Sequence, residues 1–151
     1  MTRQLEHEGF GTPFGKWIRQ NCKSSTGNDE ALVVSNLDYV LYDYRTKHLM
    51  LLEEKFGLYT PLAIGQLNVF KQLDECLRRS MLWQNDHQIS SGEGQPPAPD
   101  PKFRLKYWGF FVLNLEGGLP HDGMLLNGEA ITIEQLIRHL NFHEQVVGPM
   151  F

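Results

Sequence analysis

The sequence predicts a mixed α/β (α+β) architecture, on three observations. Helical apolar spacing appears at residues 12–21 and 61–79 and again from Thr132 onward, each time behind a threonine suited to capping. Runs rich in β-branched and aromatic residues occupy 32–44, 48–55 and 105–117. The two kinds of segment interleave as α, β, β, α, loop, β, β, α, which implies a mixed central sheet flanked by helices.

Each element has a local reason. In "TPFGKWIRQN" Thr12 is the N-cap and Pro13 opens the helix, with Phe14, Trp17 and Ile18 on one face. "LVVSNLDYVLYDY" reads as a strand, "RTK" as a turn and "HLMLLEEK" as a second strand, so an antiparallel hairpin is expected. The next helix is predicted from Pro61 to Arg79, capped by Thr60, with Ala63, Leu67, Phe70, Leu73 and Leu77 as its apolar stripe. Residues 84–101, "QNDHQISSGEGQPPAPDP", have no periodicity and predict a flexible loop. Beyond them come the strand "LKYWGFFVLNLEG", a turn at "PHDG", a hairpin around Asn127-Gly128 and a helix opened by the capping box "TIEQ".

The 151 residues suit one domain, 1–151, with a core of useful size. Apolar residues at 41% and charged residues at 21% match an ordinary globular protein. No apolar run approaches the roughly 18 residues a membrane span needs, and "MTRQLEHEGF" is no secretion signal, so no membrane partner and a cytoplasmic location are expected. Two cysteines, without a disulfide framework, agree with that expectation. The net charge of −4 does not advertise nucleic-acid binding, but it is unevenly spread. Through residue 85 there are 10 Lys and Arg against 10 Asp and Glu; from 86 onward there are 4 against 8. A phosphate-binding surface would therefore lie in the first half, where Lys16, Arg19, Lys23, Ser24 and Ser25 are the candidates.

The chemistry concentrates on the first hairpin. Strand alternation places Glu53 and Lys55 on one face and Glu54 on the other, and pairing in the expected register sets Asp38 beside Glu53. Two carboxylates that close repel unless a cation lies between them, and Mg²⁺ or Mn²⁺ suits oxygen ligands together with a phosphate substrate. Lys55 would then stand ready to assist a water or a developing phosphorane charge. Gln66, on the face of the next helix shared with Phe70 and Leu73, turns toward the sheet. Other polar groups read as surface: Asp43 as a solvated turn residue, and His139 with His143 as a solvated helix face, although their i, i+4 spacing could hold zinc.

"NLDYVLYDYRTKHLMLLEEK", followed by a helix containing "GQLNVF", resembles the PD-(D/E)XK nuclease superfamily and its RecB-like branch, over residues 12 to 80. The resemblance implies a restriction-endonuclease-like αβββαβ core, metal dependence and hydrolysis of DNA phosphodiester bonds. It assigns Asp38 and Glu53 as ligands of Mg²⁺ or Mn²⁺, the Glu54 backbone carbonyl as a third donor, Lys55 as the catalytic lysine and Gln66 as an accessory residue. The first helix lacks the glutamate many members place there, and the residue before Asp38 is Leu37 rather than proline. Members often act in pairs, so a homodimer is compatible with the resemblance. The alternative is a non-catalytic nucleic-acid-binding or protein-interaction module on the same fold.

Overall fold

The computed structural model describes residues 37–89 and 104–151, with Pro13 and Trp17 apart from them. Strand β1 (Tyr39–Tyr42) and strand β2 (His48–Phe56) form an antiparallel hairpin, with Tyr39 opposite Leu52 and Tyr42 opposite Leu49. Asp43 fixes the turn: its Oδ1 accepts hydrogen bonds from the backbone N–H of Arg45 at 2.8 Å and of Thr46 at 3.3 Å. These donors hold its carboxyl below the usual carboxylate range. Helix α1 (Ile64–Ile89) crosses one sheet face and returns the chain toward strand β3 (Lys106–Leu115), which lies parallel beside β2. Strands β4 (Met124–Leu126) and β5 (Glu129–Ala130) extend the sheet in the order β1-β2-β3-β4-β5, and helix α2 (Ile133–Leu140) follows.

The result is an α+β fold with a five-stranded mixed sheet and, among the fully described elements, two helices. Its core has two sides. Leu51, Tyr107, Phe110 and Val112 meet Phe70 of α1, whereas Met50, Leu52, Phe111, Leu113 and Leu126 meet Leu136 of α2 and Val147. Coverage on both faces explains why "LMLL" and "FFVL" are continuously apolar rather than alternating. A bulge sets their facing: Leu49 pairs with Tyr107 but Met50 with Gly109, so Trp108 is extra. Gly109 absorbs the irregularity at φ +131. Past it, Phe110, Val112 and Asn114 stand opposite Leu51, Glu53 and Lys55.

Both short-range signals near the end of the chain are realised. Asn127 and Gly128 turn at φ 48 and 80, the mirror-image turn a two-residue hairpin favours. Thr132 and Gln135 form the reciprocal capping box.

Helix α1 differs from expectation at both ends. It starts at Ile64, not Pro61, because Thr60 does not cap it: the Thr60 hydroxyl donates to Phe56 O and so closes the preceding turn. It continues to Ile89, so residues 84–89 of the expected loop are helical, while 90–103 lie outside the described residues. No glycine or proline interrupts 80–89, and Met81 packs against the α1-side core and carries the helix onward. Its inward stripe also differs, since Leu73 is exposed and Asp74 is buried in its place.

His139 corrects a second expectation: it is wholly buried instead of lying on a solvated face. The ring meets Phe111 edge-to-face at 4.4 Å and Trp108 at 5.6 Å, and its Nδ1 accepts from Val146 N at 3.3 Å. Burial lowers its pKa to about 4.

Candidate active site

The end of β2 carries charge into the interior. Glu53 and Lys55 are 2% and 6% exposed, a degree of burial that charged side chains tolerate only when paired. Lys55 Nζ lies 3.0 Å from Glu53 Oε1 and donates to Gln66 Oε1 at 2.9 Å. The amide of Gln66 donates in turn to Glu53 Oε1 at 3.2 Å, so lysine, glutamate and glutamine form a closed triad. Strand parity puts Glu53 and Lys55 on the face toward α1, and the first turn of α1 supplies Gln66.

Asp38 comes from the neighbouring strand, one step beyond the Tyr39–Leu52 pair and therefore across from Glu53. Its N–H donates to Glu53 Oε2 at 3.3 Å, and its Oδ2 accepts from Glu54 N at 2.9 Å. Desolvation raises the Glu53 pKa above the ordinary carboxylate value; Lys55 opposes that shift and the Asp38 charge adds to it. Glu54 points to the other face, as alternation requires, and its Oε2 accepts from the Tyr39 hydroxyl at 3.0 Å. The α1 approach is tied down by Asn114, whose Nδ2 donates to Gly57 O at 2.8 Å and to Thr60 O at 2.9 Å. Gly57 N also donates to Leu115 O at 2.7 Å.

The structure thus brings together Asp38, Glu53, Lys55 and Gln66, with Glu54 joined to them through its backbone N–H while its side chain faces away. Lys16, Arg19, Lys23, Ser24 and Ser25 lie outside the described residues. Among the described residues no group of three or more His, Cys, Asp or Glu side chains forms a metal cage. Asp38 and Glu53 supply two carboxylates from neighbouring strands, oxygen donors of the kind that Mg²⁺ or Mn²⁺ would take together with water and substrate oxygens. One carboxylate is exposed and the other buried, so the pair opens to solvent on one side.

Sequence reasoning missed two polar residues of this side of the sheet. Asn114 was hidden inside an apolar run, and Asp74 behind a helical stripe that Leu73 completed equally well. A polar residue within "FFVLNL" was the available signal for Asn114.

Compared with models of known protein families, with curated proteins and with solved structures, the chain matches none. Among the described residues no helix is long and apolar enough to cross a membrane.

Proposed function

We propose that this chain is a divalent-metal-dependent deoxyribonuclease built on a restriction-endonuclease-like core. The observation that carries the reading is the sharing of Lys55 Nζ between Glu53 and Gln66 directly across the hairpin from Asp38. The antiparallel hairpin, the α1 connection and a parallel β3 beside β2 are in keeping with the resemblance to PD-(D/E)XK nucleases.

In this reading Asp38 and Glu53 hold Mg²⁺ or Mn²⁺, with the Glu54 carbonyl as a further donor. When bound, the ion would polarise the phosphate and acidify a coordinated water. Lys55 offers an ammonium N–H at the same carboxylate, where it can orient a water and balance negative charge growing on phosphorus. Gln66 holds that ammonium in place and is a positioning residue. Burial against the α1-side core keeps Lys55 and Glu53 largely from bulk water, which strengthens their electrostatic action. The basic residues between Lys16 and Lys23 would contact DNA phosphates, and a homodimer would present two sites to two strands.

The test is cleavage of labelled single- and double-stranded DNA in Mn²⁺, Mg²⁺ or EDTA by wild type, Lys55→Ala and Asp38→Asn. Metal-dependent cutting should fall by roughly 100-fold or more in both variants, the scale of losing a group that stabilises the transition state. No cutting on either substrate, together with no Mn²⁺ binding by calorimetry, would sink the proposal. Salt-sensitive DNA binding without cleavage would instead identify a non-catalytic binding module.

A further inference from the structure

We propose that the cleft between the β1–β2 turn and the end of α2 binds a planar aromatic anion, of which a nucleoside monophosphate is the representative. The cleft has a volume of about 550 Å³, within the range of small-molecule sites. It draws on none of the candidate active-site residues and lies beyond the opposite end of β1 from Asp38.

Its walls are aromatic and come from two separate elements. Tyr42 and Tyr44 stand edge-to-face with centroids 5.2 Å apart on the turn side, and Phe142 stands on the helix side. Phe142 is held rigidly. It occupies the left-handed position after α2 at φ 59, where glycine is usual, and His143 N reaches back to Arg138 O at 2.9 Å. Its ring is fixed by stacking on His48 at 5.4 Å and by an edge contact with Trp108 at 5.1 Å. The opposite wall is fixed by the Asp43 turn, in which Asp43 N donates to His48 O and Lys47 N to Asp43 O. Because both sides of this open cleft are already ordered, a flat ring lying in it would spend little free energy on ordering.

Tyr44 is 80% exposed, so much of a large aromatic side chain is open to a ligand in the cleft. Arg45 also lines the cleft, and among the described residues its guanidinium closes no ion pair. The nearby Asp43 carboxylate stays ionised, its Oδ1 occupied by two backbone N–H groups of the turn, and Arg45 acts on it as an opposing charge. Asn141 adds an amide that can both donate to and accept from a ring edge. Rings to stack on, one available guanidinium and one amide together recognise an aromatic ring that carries an anionic group.

Calorimetric titration of the full chain with dAMP, deoxyadenosine and inorganic phosphate tests this, in EDTA so that metal-dependent binding at Asp38 and Glu53 contributes nothing. Saturable dAMP binding is expected, with deoxyadenosine about tenfold weaker and phosphate alone weaker still. Tyr44→Ala should weaken dAMP binding by about tenfold or more while Tyr44→Phe retains it. Arg45→Gln should bring dAMP down to the level of deoxyadenosine. Absence of saturable dAMP binding, or equal affinity in wild type, Tyr44→Ala and Arg45→Gln, overturns the proposal. Deoxyadenosine binding as tightly as dAMP would remove the anion from it.

Discussion

Asn114 stands opposite Lys55 in the parallel β2–β3 pair and, from there, holds the loop that leads into α1. One side-chain amide serves two backbone carbonyls, those of Gly57 and Thr60. The position of Gln66 in the triad therefore depends on a residue far along the chain. Asn114→Ala should cost about 2 kcal/mol, on the order of 1 kcal/mol for each hydrogen bond lost. Hydrogen exchange should quicken in residues 57–66 and stay unchanged in α2; exchange in 57–66 unchanged from wild type would show that Asn114 does not anchor the loop.

Asp74 and Tyr107 form the second polar contact beneath α1. The Tyr107 hydroxyl donates to Asp74 Oδ1 at 2.6 Å, and Arg78 Nε donates to Oδ2 at 2.9 Å with its guanidinium 5.4 Å above the Tyr107 ring. Burial and the Asp74 charge both keep the phenol protonated. Tyr107→Phe leaves half of a buried carboxylate without its donor and should cost about 1–3 kcal/mol in urea unfolding. The double variant Asp74→Asn with Tyr107→Phe should cost less than the sum of the two single changes, since both act on one network.

His139 ties stability to pH. Its Nδ1 accepts from Val146 N, so the neutral ring carries its proton on Nε2, and a second proton would meet the Val146 N–H head on. The folded value of about 4 lies below the unfolded value of 6.5, so between them the unfolded chain binds more protons. The stability from His139 is thus complete above pH 6.5 and is lost as pH falls toward 4, on the order of 3 kcal/mol in all. Urea unfolding from pH 7 to 4 should show this slope in wild type and a flatter one in His139→Leu. That variant should be less stable at pH 7, because Val146 N loses its acceptor. Parallel slopes would remove His139 as the cause.

Gly109 has no room for a side chain. A Cβ there would lie 2.5 Å from Pro149 Cβ, and φ +131 disfavours any L-residue. Gly109→Ala should cost more than about 2 kcal/mol, combining backbone strain with overpacking. A melting temperature within a degree or two of wild type would show that the bulge relaxes freely.

Much of the fold was legible because its signals are local. Thr132 with Gln135 and Asn127 with Gly128 fix their own geometry within four residues, and the pattern of "LDYVLYDYRTKHLMLLEEK" sufficed to predict the hairpin. Asp38, Glu53 and Lys55 were legible as a group for the same reason, since hairpin register and strand parity relate them. Signals that depend on distant partners were not legible. Thr60 resembles an N-cap, yet the bond to Phe56 O draws its hydroxyl away. Leu73 and Asp74 fit the helical stripe equally well, and only the Tyr107 hydroxyl on another element selects Asp74. His139 looks like a surface histidine until Trp108 and Phe111 are packed on it. The bulge at Gly109 shifts the facing of half a strand, and a lone glycine in "YWGFF" was its only trace.

The parallel pairing of β2 with β3 also orders events in time. Asp38, Glu53, Lys55 and Gln66 belong to one hairpin and the first turn of the helix after it, so they meet through short loop closures. The strand that seals their other side arrives only after the whole of α1 and the segment beyond it, a slower closure. During folding the charged triad can therefore assemble while still wet, its ions paired before water leaves them.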